Sequence, residues 1–341
     1  MGENTSRLVL HIGPHKTATT YCQENFFGRR GRLKACGWMY PPIGRASYET
    51  GHHWLAHTRT AFLHEPGKAR ASLSHLGRRA RTNGFSLFFS AEGFSKWAAQ
   101  DFQHMATMLG YAEIELIFAL RDPIASFASY WAEEVKHGYS TPLPDRFAAQ
   151  LADPQNSALL NPMMALRPLM EAPQIRLHIV PFDILARRQI DIFTHICTAV
   201  LGIPEIRPRY KSPANTRLPI ELTEFLRLLM QMGKARGGED HLRKAFMHRI
   251  SPHQRANIVR FVAAEAGHAK RSISMPAKAQ FRAQIEAEAR DELTKYLTLD
   301  PGNEPLFEAR DETLAYYADA QLWQCAPVRL RAEEILQKIA S

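Results

Sequence analysis

Leu8-Val9-Leu10-His11-Ile12-Gly13-Pro14-His15-Lys16-Thr17-Ala18-Thr19-Thr20-Tyr21 is the stretch whose reading decides the fold. A short apolar run with β-branched members predicts a buried parallel strand. Gly13-Pro14 stops it, and helical spacing begins at once. The predicted unit is a strand, a tight loop and a helix N-terminus. The first N–H groups of such a helix have no partner inside it, and its dipole adds partial positive charge, so the junction suits a phosphate. Lys16 adds an ammonium there, and Thr17, Thr19 and Thr20 add three hydroxyls. A plainer reading also fits: Thr17 or Thr19 caps the helix and Lys16 is a solvated loop lysine.

A Walker A loop requires a glycine directly before the lysine, and His15 holds that position. The stretch instead resembles the 5′-phosphosulfate loop of sulfotransferases, Pro-Lys-[Ser/Thr]-Gly-Thr-Thr, and most of all bacterial members that read His-Ile-Gly-Pro-His-Lys-Thr-Gly-Thr-Thr. Ala18 stands where that family has glycine. A glycine needed for positive φ would leave Ala18 strained, whereas one that only keeps space clear for a nucleotide could gain a methyl. The second reading is the one expected.

Further along, Gly51 to His57 opens a helix carrying the pair His52-His53; a paired histidine is more often a surface or capping feature, but the similar bacterial enzymes often have an Asn-His-His-like element here, and the resemblance implies substrate contact. Gly84 to Ser90 predicts a strand that ends in Ala91-Glu92-Gly93. Ligands of parallel α/β sheets sit beyond the carboxyl ends of the strands, so Glu92 is expected at the same edge as the phosphate loop. A helix-capping role for Glu92 is equally open.

Ala112 to Ala119 predicts a third strand, running into Arg121-Asp122-Pro123, with Asp122 as cap and Pro123 at the first helical position. Arg121 and Ser129 stand in an R-x7-S frame with aromatics after the serine, which resembles the 3′-phosphate element of sulfotransferases. Arg176 to Val180 predicts a fourth strand. It is followed by Phe182, where the resemblance places an aromatic against adenine, and by a helix over 191–201. Pro213-Ala214-Asn215-Thr216 resembles the family's late Asn/Ser loop. Beyond it the pattern is nearly all helical: Ile220 to about Met232, Pro252 to Ala266, Ala277 to about Leu297, and two pieces after Pro305. No repeat or low-complexity linker interrupts the chain. The expected organisation is an α/β nucleotide-binding core over residues 1–216, mainly a parallel sheet flanked by helices, with a helical region over 217–341. The resemblance covers residues 7 to about 216.

The 341 residues hold 43 Lys and Arg against 34 Asp and Glu, a net charge of +9. That surplus suits an anionic ligand, but the basic residues are scattered, without an RNP motif, zinc knuckle or dense basic tail, so nucleic acid is not the expected partner. Four scattered cysteines form no C-x-x-C pair and read as reduced thiols. No signal peptide or membrane span is recognisable, and a cytoplasmic location is the expectation.

The resemblance implies transfer of a sulfuryl group from 3′-phosphoadenosine 5′-phosphosulfate (PAPS), giving adenosine 3′,5′-bisphosphate (PAP), to a hydroxyl or amine of an acceptor such as a carbohydrate or small molecule. His15 to Thr20 would hold the 5′-phosphate, and Arg121, Ser129 and Phe182 the rest of the nucleotide. Lys16 would stabilise the leaving phosphate. Glu92 is the first choice for the base that removes the acceptor proton, with His52 and His53 as rivals. No metal is expected. The alternatives are a P-loop kinase, with Ala112 to Asp122 as a Walker B strand, or a nucleotide-binding protein without catalysis.

Overall fold

The computed structural model describes residues 6–136, 138–204, 206–211, 218–235, 242, 246, 249–275, 280–308 and 310–340. β1 (Leu8–Gly13) is buried at every position, as an unalternating run requires of a central strand. It pairs in parallel with β3 (Ser86–Ser90) on one side and β4 (Ile114–Leu120) on the other. β2 (Trp38–Met39) and β5 (Ile175–Pro181) form the edges, giving the order β2-β3-β1-β4-β5 with every pair parallel. The chain moves from β3 on one flank of β1 to β4 on the other, so the switch point of the sheet lies at β1 and β4.

The helix that starts after the loop, α1 (Thr19–Gly28), is followed by a second, α2 (Arg30–Ala35), the two separated at Arg29, whose φ of −105° and ψ of 9° leave the helical region. Phe26 fixes α1 on the sheet. Its fully buried ring meets Phe88 of β3 edge-on at 4.5 Å and Phe193 at 5.0 Å, within a cluster that includes Val9, Ile117 and Val180. Tyr21 is also buried, and its hydroxyl donates to Asp191 at 2.5 Å. Phe27 is half-buried, with the guanidiniums of Arg30 and Arg45 over its ring at 4.3 and 4.6 Å.

The β2–β3 connection holds α3 (His53–His57), α4 (Arg59–Leu63) and α5 (Lys68–Thr82). α6 (Ala99–Leu109) joins β3 to β4, and α7 (Pro123–Lys136) starts at the proline that follows β4. α8 (Leu143–Leu151) and α9 (Met163–Met170) lead to β5, and α10 (Phe182–Arg187) leaves it. At the amino edge of the sheet Arg7 donates twice to Glu115, each bond 2.6 Å, and His178 lies 2.6 Å from the same carboxylate. Burial alone would raise the Glu115 pKa, but these two partners outweigh it and hold it at about 2.

Two compact units interleave along the chain. The first comprises 1–123, 161–215 and 283–308, and contains the parallel sheet; the second comprises 124–160, 216–282 and 309–341. In the second unit α11 (Ile220–Ala235) carries a fully buried pair, Arg227 Nε donating to Glu224 at 2.6 Å, while the Glu224 carboxylate also accepts from the Tyr317 amide at 3.0 Å. This unit contains an antiparallel pair, β6 (Lys270–Met275) and β7 (Glu312–Tyr317), in a stretch read from sequence as nearly all helix. Five of the six β6 residues are exposed or half-buried, so the strand carries no apolar alternation to read. Residues 213–216, which resemble the late Asn/Ser loop of sulfotransferases, lie outside the described residues. Among those residues, no helix is long and apolar enough to cross a membrane.

Candidate functional site

β1 ends at Gly13, whose φ is +97°, and the register with β4 shifts between His11 and Gly13, where Gly13 still pairs with Phe118. Lys16 (φ +70°) and Ala18 (φ +59°, ψ 24°) both lie in the left-handed region, and Thr17 between them does not. Alternation of this kind turns successive N–H groups to one side and makes a concave anion-binding nest. Ala18 is the N-cap of α1 and offers no side-chain acceptor, so the helix start is left open to an external anion. The conformation also settles what the family glycine would do here. It would supply positive φ, and the expectation that Ala18 only narrows space is corrected: its Cβ opposes a backbone conformation that suits glycine.

The three threonines divide. Thr17 is fully buried and donates to the Pro14 carbonyl at 2.7 Å, holding the loop's own shape. Thr19, also buried, donates to Glu92 Oε1 at 2.5 Å. Thr20 is exposed at the second position of α1. The hydroxyl protons of Thr17 and Thr19 are therefore already placed on protein acceptors, and of the three threonines Thr20 is the one at the surface.

Glu92 follows β3 after one residue, Ala91, and packs against the loop: a Cβ on Gly13 would come within 3.4 Å of the Glu92 Cα. Its Oε1 takes the Thr19 hydroxyl, and its Oε2 takes Gln23 Nε2 at 3.2 Å and lies 3.5 Å from His53 Nδ1. Burial pushes the Glu92 pKa up, but the Thr19 hydroxyl, His53 and His15 together bring it below the ordinary carboxylate value. Gln23 was not read from the sequence as a site residue. It lies four positions after Thr19, on the same face of α1, and that spacing is the signal that could have found it.

His52 and His53, adjacent in sequence, do different work. His52 is fully buried and both ring nitrogens are spent on backbone: Nε2 donates to the Pro41 carbonyl at 3.0 Å and Nδ1 accepts from the Ser90 amide at 3.0 Å. Burial lowers its pKa to about 3. With neither nitrogen available, His52 pins the end of β3 rather than meeting substrate, a correction to its candidacy as base. His53 keeps a quarter of its side chain exposed, with Nε2 on Gln23 Oε1 at 3.2 Å.

Arg121 leaves β4 and reaches across the switch point. Its Nη1 donates to the Lys16 carbonyl at 2.5 Å and its guanidinium lies over the Phe182 ring at 5.2 Å, while its buried Nε has no partner. A buried guanidinium N–H without an acceptor is costly, and an anionic ligand would satisfy it. Asp183, next to Phe182, accepts the Asp122 amide at 2.8 Å and the Glu308 amide at 3.1 Å, which fixes the start of α10 relative to β4. Burial nevertheless raises the Asp183 pKa above the ordinary value. Ser129 is half-buried on α7, in the second unit. Among the described residues, no group of three or more His, Cys, Asp and Glu side chains is arranged to hold a metal.

The first unit thus brings together, at the carboxyl edge of its sheet, the loop over 13–18, Glu92, His53, Arg121 and Phe182. That set can cradle an anionic nucleotide beside a carboxylate and an imidazole. No protein-family profile and no curated protein matches the chain. Among solved structures it is similar to a sulfotransferase from Alicyclobacillus acidocaldarius, at 12% identity over 70% of this chain and 99% of that one, with a TM-score of 0.36.

Proposed function

We propose that the chain is a PAPS-dependent sulfotransferase that modifies a hydroxyl or amine of an acceptor, a carbohydrate or a small molecule. The observation that carries the reading is the nest of Lys16 and Ala18 at the open start of α1, tied to Arg121 at the switch point. The residues fit the nucleotide: the loop amides and Thr20 suit its 5′-phosphate, the unpartnered Nε of Arg121 suits a second anionic group, and Phe182 offers a ring to adenine. PAPS would supply the sulfuryl group and the bridging oxygen that leaves with the phosphate. Lys16 would neutralise the charge that develops on that oxygen. Glu92 would stand ionised beside the acceptor. Ser129 enters only through the R-x7-S frame.

Purified protein incubated with radiolabelled PAPS and separate pools of sugars, amines, phenols and lipids should label at least one pool without added magnesium. Phosphoryl transfer from ATP and magnesium, with no sulfuryl transfer in the parallel reactions, would replace the reading by that of a kinase.

A further inference from the structure

Glu92, Gln23 and His53 form a linked set in which each hydrogen bond dictates the next. Gln23 is 2% exposed and sandwiched: a Cβ on Gly51 would come within 2.6 Å of the Gln23 Cδ and 2.7 Å of His53 Nε2, so the backbone at Gly51 seals that side. An ionised Glu92 accepts only, so the Gln23 atom facing Oε2 at 3.2 Å must be the amide nitrogen. The Gln23 carbonyl then faces His53 Nε2, which must carry a hydrogen. In neutral His53 the lone pair is therefore on Nδ1, the atom 3.5 Å from Glu92 Oε2. Two acceptors face each other with no hydrogen between them, beside the open start of α1, and His53 is the partner that solvent reaches. That gap takes a proton.

We propose that His53 and Glu92 act as one proton-accepting pair, with His53 Nδ1 receiving the acceptor's proton and Gln23 as the positioning residue that fixes the receptive tautomer. The proposal rests on the sulfotransferase reading and deepens it. In the step, the acceptor O–H bond breaks and its proton passes to Nδ1, while the acceptor oxygen bonds to sulfur. The bond from sulfur to the bridging oxygen breaks, and its electron pair leaves on the phosphate of PAP. The imidazolium so formed has Nε2–H on Gln23 and Nδ1–H towards Glu92, whose charge stabilises it. Other ionisable groups surround the pair. His57 lies one helical turn on, with ring centroids 6.4 Å apart, and His52 acts on His53. His15 acts on Glu92 and Glu92 on His11, while Lys96 and Glu49 act on His57.

Nitrogen-resolved NMR of the histidine side chains tests it, with His53 assigned by its loss in His53→Gln. Wild type should show neutral His53 protonated on Nε2. Gln23→Met keeps an unbranched side chain of similar length and removes both hydrogen bonds; it should give a mixed tautomer and a changed pH–rate profile. Its kcat should fall at least ~10-fold out of the 10²–10⁴ that a positioned base contributes, with the KM for PAPS within about twofold. Neutral wild-type His53 protonated on Nδ1, or a Gln23→Met protein with unchanged tautomer and pH–rate profile, would overturn it. Should that variant fail to fold, the wild-type spectrum alone decides the tautomer. A wild type that transfers no sulfuryl group would remove the reaction reading, while the tautomer measurement still decides the coupling.

Discussion

Arg121 donates to the main-chain carbonyl of Lys16 at 2.5 Å, so the residue that follows β4 holds the loop that follows β1. Hydrogen bonds from a charged donor are worth about 1.5–3 kcal/mol. Arg121 therefore has a structural duty in the loop besides any contact with a ligand. Replacing it by alanine should raise hydrogen exchange at the amides of residues 15–18 by at least ~10-fold while leaving β3 protected. Unchanged exchange in the loop would mean that the bond does not hold it.

Ala18 occupies a left-handed position that costs an L-residue roughly 1–2 kcal/mol. Ala18→Gly should stabilise the protein by about 1 kcal/mol, against the usual direction of such a change, read as a raised urea midpoint with unchanged slope. A lowered midpoint would show that the loop carries no strain there.

His11 and His52 are fully buried, and burial lowers their pKa values to about 4 and about 3. In the unfolded chain both titrate near about 6.5. Between these values the unfolded chain binds protons that the folded chain refuses, so stability is full above pH ~6.5 and falls as pH drops towards 4. Each contributes a slope of up to about 1.4 kcal/mol per pH unit. His11→Gln should remove one such increment between pH 6 and 5, a window above the fall expected from Glu115, whose stabilisation is lost only below the ordinary glutamate range and down to about pH 2. An unchanged slope would contradict the assignment.

Lys16→Ala should lower kcat by at least ~10², the loss typical of removing one group that stabilises developing charge, with PAP affinity changed only a few-fold. A variant retaining more than about a tenth of the wild-type rate would mean that the lysine does not serve the leaving oxygen.

The parallel sheet and the place of the loop after β1 were legible because buried strands read as unbroken apolar runs and Gly13-Pro14 marks where the first one ends. Arg121 at a strand-to-helix switch was legible for the same reason. His52 was not: a histidine spent on the Pro41 carbonyl and the Ser90 amide looks, in sequence, the same as one facing a substrate. The split among Thr17, Thr19 and Thr20 depends on backbone signs that residue types do not reveal, and Ala18 argued in the wrong direction. Gln23 carried only the weak signal of its spacing from Thr19. The β6–β7 pair was hidden because an exposed strand leaves no alternation.

The central claim is recognition of a nucleotide that carries a 3′-phosphate, and calorimetric titration of PAP and of adenosine 5′-phosphosulfate, which lacks that phosphate, tests it most directly. Wild type should bind PAP at least ~10-fold more tightly, without magnesium, as one or more charge-assisted bonds to the 3′-phosphate require. Arg121→Ala should weaken PAP by at least ~10-fold and the 5′-phosphosulfate by less, the smaller loss reporting the loosened loop. Equal affinity of wild type for the two ligands, or tighter binding of ATP with magnesium, would contradict the account.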